Sequence, residues 1–185
     1  GEQQRVAVAR AFATSPELMI ADEAVSSLDV SVQASILNLL NELQEERGSA
    51  TFFISHDLAV VGFLADKIAV IYLGRLMEIA DSRALFNPPY HPYTEALLSA
   101  IPLMDPQAFQ ERIRLGDEVP TPEDVPSGCP FHTRCPRYIG DICVEEQPPW
   151  RETESGGWVY CHHPIEDLMD MQTRVFRFDS SGEAG

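Results

Sequence analysis

Two adjacent carboxylates, Asp22 and Glu23, close an apolar run, Leu18-Met19-Ile20-Ala21. A short continuous apolar run reads as a buried strand, and open parallel sheets bind ligands beyond the carboxyl ends of their strands. There, one carboxylate can hold Mg²⁺, usually through water. Its neighbour can orient or deprotonate an attacking water. A second apolar run, Thr51-Phe52-Phe53-Ile54, ends in Ser55-His56-Asp57. A histidine at the end of an adjacent strand reaches the same ligand and donates to a phosphate oxygen. Each feature alone has a plainer explanation: an acidic pair also ends a strand, and His56 has Asp57 beside it. With Gly1-Glu2-Gln3-Gln4-Arg5 and Ser26-Ser27-Leu28-Asp29 in the same short stretch, the constellation becomes specific.

The second group with chemical potential is Cys129, Cys135, Cys143 and Cys161, spaced C-x5-C-x7-C-x17-C. They sit in or just beyond a stretch that holds twelve of the 14 prolines, Pro88 to Pro149. Such a stretch does not build a regular sheet or helical bundle, and it lacks the apolar residues for a core of its own, so a staple is expected. Disulfides, a Cys₄ zinc site and an iron–sulfur cluster compete for that role. Zinc sites favour closely spaced pairs, whereas cluster spacing varies more widely.

The elements that must position these groups alternate. Glu2 to Ala13 is predicted as a packed helix stopped by Ser15-Pro16. Leu18 to Ala21 and Thr51 to Ile54 are predicted strands. Val30 to Arg47 is the clearest helix, with Ile36, Leu39, Leu40 and Leu43 on one face, Asp29 to cap it and Gly48 to end it. Leu58 to Ala65 reads as a short helix. Lys67–Leu73 and Leu76–Ile79 read as a hairpin turning at Gly74-Arg75. This order predicts an α/β fold with parallel central strands.

Composition adds exclusions. The 185 residues carry a formal charge of -16, and Lys67 is the single lysine. Duplex affinity rests largely on Lys and Arg neutralising phosphates, so nucleic acid is not an expected partner. A loop of the form G-x-x-x-x-G-K-[ST] needs a lysine after a glycine, and Lys67 follows Asp66.

These motifs resemble the ATPase family of ABC transporters. Gly1 to Arg5 looks like the end of the signature L-S-G-G-[QE]-x-Q-R. Leu18 to Glu23 looks like the Walker B strand, Ser27-Leu28-Asp29 the D-loop, and His56 the switch histidine. Asn87-Pro88-Pro89-Tyr90-His91-Pro92-Tyr93-Thr94 resembles the His-Pro-Tyr extension of oligopeptide, dipeptide and nickel importer ATPases. The family usually has Pro-Thr after the Walker B Glu and Ala before the D-loop Leu; here stand Ala24, Val25 and Ser27.

The resemblance implies a P-loop-type ABC ATPase fold, here its C-terminal part, with an irregular Cys/Pro-rich extension. It implies ATP and Mg²⁺ as cofactors, Asp22 for the metal ion, and Glu23 and His56 as catalytic. Gly1 and Glu2 would bind the nucleotide of a partner, with Asp29 at the same interface. Implied partners are a second ATPase subunit (homo- or heterodimer), two transmembrane permeases and, indirectly, an extracytoplasmic peptide-binding protein. The location implied is peripheral, on the cytoplasmic face of the cell membrane. Because the family carries a [4Fe–4S] cluster in this extension, Cys129, Cys135, Cys143 and Cys161 are expected to hold one, with Zn²⁺ as the alternative.

Three parts are expected: residues 1–86 from the ATPase domain, 87–170 as the extension, and 171–185 as a flexible tail. The start at Gly1 and the missing lysine loop predict a C-terminal portion that is inactive alone and exposes a sheet edge and apolar surface. The competing expectation is a non-catalytic, metal-stapled interaction or regulatory module on a degenerate ATPase half.

Overall fold

A computed structural model of the chain describes residues 1–101, 112–116, 119–121 and 123–173. Most of the expected tail, residues 174–185, therefore lies outside the described residues. The chain divides into two compact units, Gly1–Ala65 and Asp66–Gly185.

The first unit has the order α1 (Glu2–Phe12), β1 (Leu18–Asp22), α2 (Val30–Arg47), β2 (Ala50–Ile54) and α3 (Leu58–Leu64). This is the expected α/β alternation. β1 and β2 pair in parallel, with Leu18 opposite Ala50 and Asp22 opposite Ile54. α2 begins and ends where its caps dictate: the Asp29 carboxylate accepts from the Val32 N–H at 3.0 Å, and Gly48 takes the left-handed conformation at φ 61°. Ile36, Leu37 and Leu40 of α2 are buried with Val8, Phe12, Met19, Val25 and Val60.

Side chains alternate across a strand, and here the alternation separates two faces. Met19 and Ala21 point into the core, while Leu18, Ile20, Phe52 and Ile54 are 57%, 67%, 56% and 41% exposed. The continuous apolar runs had suggested strands covered on both sides; within the described residues only one face is covered. Ile36 is fully buried at the centre of this unit. Ile36→Ala is expected to cost about 2–5 kcal/mol, read as a loss in denaturant midpoint with unchanged slope.

The second unit is built on a four-stranded antiparallel sheet, ordered β3-β4-β6-β5. β3 (Lys67–Tyr72) and β4 (Arg75–Asp81) form the expected hairpin. β6 (Trp158–Tyr160) then pairs with β4, placing Glu78 opposite Val159, and β5 (Trp150–Glu152) completes the edge. Short helices α4 (Ser82–Leu85), α5 (Pro92–Ser99), α6 (Ile142–Glu145) and α7 (Ile165–Met171) surround it.

The Tyr90-His91-Pro92-Tyr93 segment is internal to this unit. Tyr90 and His91 are 0% and 1% exposed. The His91 N–H donates to Glu78 Oε2 at 2.9 Å, and His91 Nδ1 accepts from the Tyr93 N–H at 3.0 Å, capping α5. Burial pushes the Glu78 carboxyl up to about 8 and His91 down to about 3, in each case favouring the neutral form. Further along, Gln172 clasps the Tyr90 backbone from both sides, at 2.7 and 3.0 Å. Arg137 grips Glu95 with two bonds of 2.7 and 2.6 Å, the fork geometry that makes arginine pairs strong. Among the described residues no helix is long and apolar enough to cross a membrane.

Candidate functional site

The register of β1 against β2 brings the expected catalytic residues to one place. Asp22 ends β1 beside Ile54, the last residue of β2. The Glu23 N–H extends the ladder by donating to Ile54 O at 3.0 Å. Glu23 then takes a left-handed backbone, φ 47°, uncommon outside glycine and frequent where a site imposes it. That conformation turns the chain out of the strand, and the Glu23 carboxylate meets His56 Nδ1 at 3.1 Å. Both side chains are open to solvent, 50% and 72% exposed. Asp22 is exposed at the strand end.

The contact perturbs both groups. The hydrogen bond from His56, joined by one from Ser26, holds Glu23 below the ordinary carboxylate value. The same bond to Glu23, with the charges of Glu23 and Asp57, raises His56 above the ordinary histidine value. The signs follow from linkage. The stabilisation from Glu23 is present above the ordinary carboxylate pKa and fades as pH falls through the depressed value. That from His56 is present below the ordinary histidine pKa and fades as pH rises through the raised one. A pair carrying both charges thus spans the window between. In Glu23→Gln, the His56 ring titration followed by NMR is expected to move down toward the ordinary value; an unmoved titration refutes the pairing.

The other expected site residues gather where α1 begins and α2 is capped. Gly1 caps α1, and a Cβ at that position would stand 3.2 Å from Val32 in the first turn of α2. Glu2 lies exposed in the first turn of α1. Asp29, holding the Val32 N–H, also accepts from Ser31 Oγ at 2.7 Å. Two further groups escaped the sequence reading. Ser26 Oγ donates to Glu23 O at 3.0 Å, and Gln4 Nε2 donates to Ala24 O at 2.5 Å. Both lie inside the quoted motifs, but their hydrogen-bond partners belong to a turn whose path the sequence does not reveal. Val25, where the family usually has threonine, is 2% exposed and packs in the core.

The four cysteines come near one another in the second unit. Among the described residues, no group of three or more His, Cys, Asp or Glu side chains could hold a metal ion. All four are free thiols. Cys129 and Cys135 pack with Tyr72, Met77, Phe131 and Tyr160, and Cys161 with Val159 and Leu168. Burial pushes Cys129 up to about 11, Cys135 to about 12 and Cys161 to about 11, which favours the protonated thiols while no cation is bound. The donor chemistry nevertheless suits a cation. Cys135 feels the other three thiols, Cys161 feels Cys129 and Cys143, and Cys129 feels Cys143; backbone N–H groups bond to the same sulfurs, Phe131 and His132 to Cys129, Arg137 to Cys135, His162 and His163 to Cys161.

Residues 77–143 match the family described as the C-terminal region of the oligopeptide/dipeptide transporter. A peptide ABC transporter ATP-binding protein of Sinorhizobium fredii is 54% identical over 162 residues, 88% of this chain and 46% of the relative. Two proteins of Bacillus subtilis, the oligopeptide transport ATP-binding proteins YkfD and AppF, are 49% and 48% identical over 164 residues, 88% of this chain and 50% of each relative. Over most of its length the chain is similar to ATP-binding proteins of peptide-type ABC transporters. It spans about half the length of the curated relatives it matches.

Proposed function

We propose that the protein is an ATP-hydrolysing subunit of a peptide-type ABC importer, with a P-loop ABC ATPase fold of which these residues form the C-terminal part. The observation that carries the reading is the Glu23–His56 contact of 3.1 Å beyond the carboxyl ends of two parallel strands. An isolated acidic strand end has no reason to meet a histidine from the next strand 33 residues away. A phosphate-processing site does, because one group must direct water while the other senses the transferred phosphoryl.

Mg²⁺ bound with ATP would supply positive charge that offsets the phosphates. The exposed Asp22 carboxylate fits that ion as an oxygen donor. Glu23 orients the attacking water and takes its proton at the carboxylate; His56 donates a ring N–H toward the terminal phosphate. Gly1 and Glu2, at the N-terminus of α1, present backbone N–H groups to the nucleotide of the partner subunit, and Asp29 holds the α2 end at that interface. Closure on ATP and reopening after hydrolysis would move two permease subunits between inward and outward states. Peptides would arrive from an extracytoplasmic binding protein, with this subunit on the cytoplasmic face of the membrane. The chain reads as residues 1–86 from the ATPase domain, 87–170 as the extension and 171–185 as a tail.

The extension has a second proposed role. Cys129, Cys135, Cys143 and Cys161 bind a metal centre, a [4Fe–4S] cluster or Zn²⁺, supported by the N–H groups aimed at three of the sulfurs. Thiolates need both such donors and a cation to be stable when buried. Anaerobic purification of the intact protein followed by metal analysis and visible absorbance tests this. Stoichiometric iron with broad charge-transfer absorbance supports the cluster, stoichiometric zinc supports the alternative, and four titratable thiols without metal refute both. For the ATPase reading, phosphate release by the assembled protein is the test.

A further inference from the structure

We infer that Gln4 is a positioning residue for Glu23: its side-chain amide, reaching from α1 to the carbonyl of Ala24, the residue after Glu23, helps set where the Glu23 carboxylate stands. The inference deepens the ATPase reading and rests on it. Gln4 Nε2 donates to Ala24 O at 2.5 Å, bridging 20 positions of sequence, and both residues are partly buried. Ala24 directly follows the left-handed Glu23.

The turn from Glu23 to Leu28 is shaped from within by Ser26 Oγ and Ser26 N–H, both donating to Glu23 O, and by Leu28 N–H donating to Val25 O. Bonds inside a turn fix its form but not its placement. Placement comes from outside: Glu23 N–H on Ile54 O, Val25 buried in the core, and Gln4 on Ala24 O. The first acts on the N–H of Glu23 itself and the second acts two residues beyond it. Gln4 holds the carbonyl of Ala24, next to Glu23, on whose backbone the carboxylate pivots. The demand on that pivot is high, because misplacing a catalytic group by about 1 Å costs on the order of 100-fold in rate.

The bond also has a consequence for coupling. Gln4 shares the first turns of α1 with Gly1 and Glu2, which in the proposed assembly face the nucleotide of the partner. A change at that end of α1 is passed through Gln4 to the carboxylate that serves the chain's own nucleotide, and coupling of this kind is reciprocal.

The test uses the assembled protein. Gln4→Met keeps the length and removes the N–H donor; it is expected to lower kcat about 10- to 100-fold with KM for ATP unchanged. Gln4→Lys, which returns a donor at similar reach, restores most of the loss. Independently of turnover, the His56 titration without nucleotide moves toward the ordinary histidine value in Gln4→Met and returns in Gln4→Lys. If Gln4→Met does not fold, Gln4→Glu against Gln4→Lys makes the same comparison. A folded Gln4→Met protein with unchanged kcat and His56 titration overturns the inference, and so does equal loss in the Met and Lys variants. Absence of ATP turnover in the unsubstituted assembled protein instead refutes the ATPase reading, and full turnover in Glu23→Gln removes Glu23 from the mechanism, while the His56 titration still reports whether Gln4 positions Glu23.

Discussion

Glu23→Gln lowers ATP turnover about 10²- to 10⁴-fold, the range a positioned general base contributes. Glutamine keeps the size of the side chain and can still accept from His56, so the turn at φ 47° and its bonds to Ser26 survive. What is lost is the negative charge that takes a proton from water and holds His56 above its ordinary pKa. KM for ATP is expected to change little, because the proposed nucleotide contacts belong to Asp22 and to residues outside the carboxylate. The loss therefore falls on kcat, as for an interaction made in the transition state. Phosphate release at saturating ATP measures it. Turnover within error of the unsubstituted protein removes Glu23 from the mechanism.

Gly128→Ala is expected to destabilise the second unit as strongly as Ile36→Ala does the first. Gly128 has φ 61°, and a Cβ there would stand 2.5 Å from Cys143 O and 2.8 Å from the carbonyl atoms of Val144. These are backbone atoms held in place: the Cys129 N–H donates to Cys143 O at 2.9 Å, and Ser127 Oγ donates to Val144 O at 2.8 Å. The methyl group cannot be relieved by a rotamer change, so residues 127–129 must part from 143–144. Left-handed strain and overpacking together cost about 2–5 kcal/mol. Gly48→Ala isolates the two contributions, since Gly48 has the same φ of 61° with nothing within 4 Å of its Cβ position. It should cost only the strain, about 1–2 kcal/mol. Denaturant unfolding compares them, and equal costs contradict the close approach of the two segments.

The sequence was legible where local rules act alone. α2 could be bounded to the residue because its start has a side chain that caps, its end a glycine that accepts a left-handed conformation, and its interior a repeat of apolar residues. The strands β1 and β2 were legible as apolar runs, and their parallel pairing follows from the helix between them. That pairing made the meeting of Glu23 and His56 foreseeable, though not their 3.1 Å contact.

Legibility failed where distant segments pair without local marks. β6 joins β4 through Glu78–Val159 and Ile79–Trp158, some 80 residues apart, with two short strands that carry no long alternation. The pairing of buried Glu95 with half-buried Arg137 is likewise invisible to periodicity, since either residue alone reads as surface. The cysteines show a third kind of limit. Their spacing marks a cluster of thiols, but whether thiols pack as protonated apolar groups or as ligands depends on burial and on a cation, which spacing does not encode.

The central claim is that Asp22, Glu23 and His56 act on one nucleotide phosphate. A structure of the intact protein with Mg²⁺ and a non-hydrolysable ATP analogue tests it most directly. The expected result has Asp22 beside the metal ion, Glu23 facing the water behind the terminal phosphate, and His56 within hydrogen-bond reach of its oxygens. A nucleotide bound with these three side chains turned away from its phosphates would contradict the account.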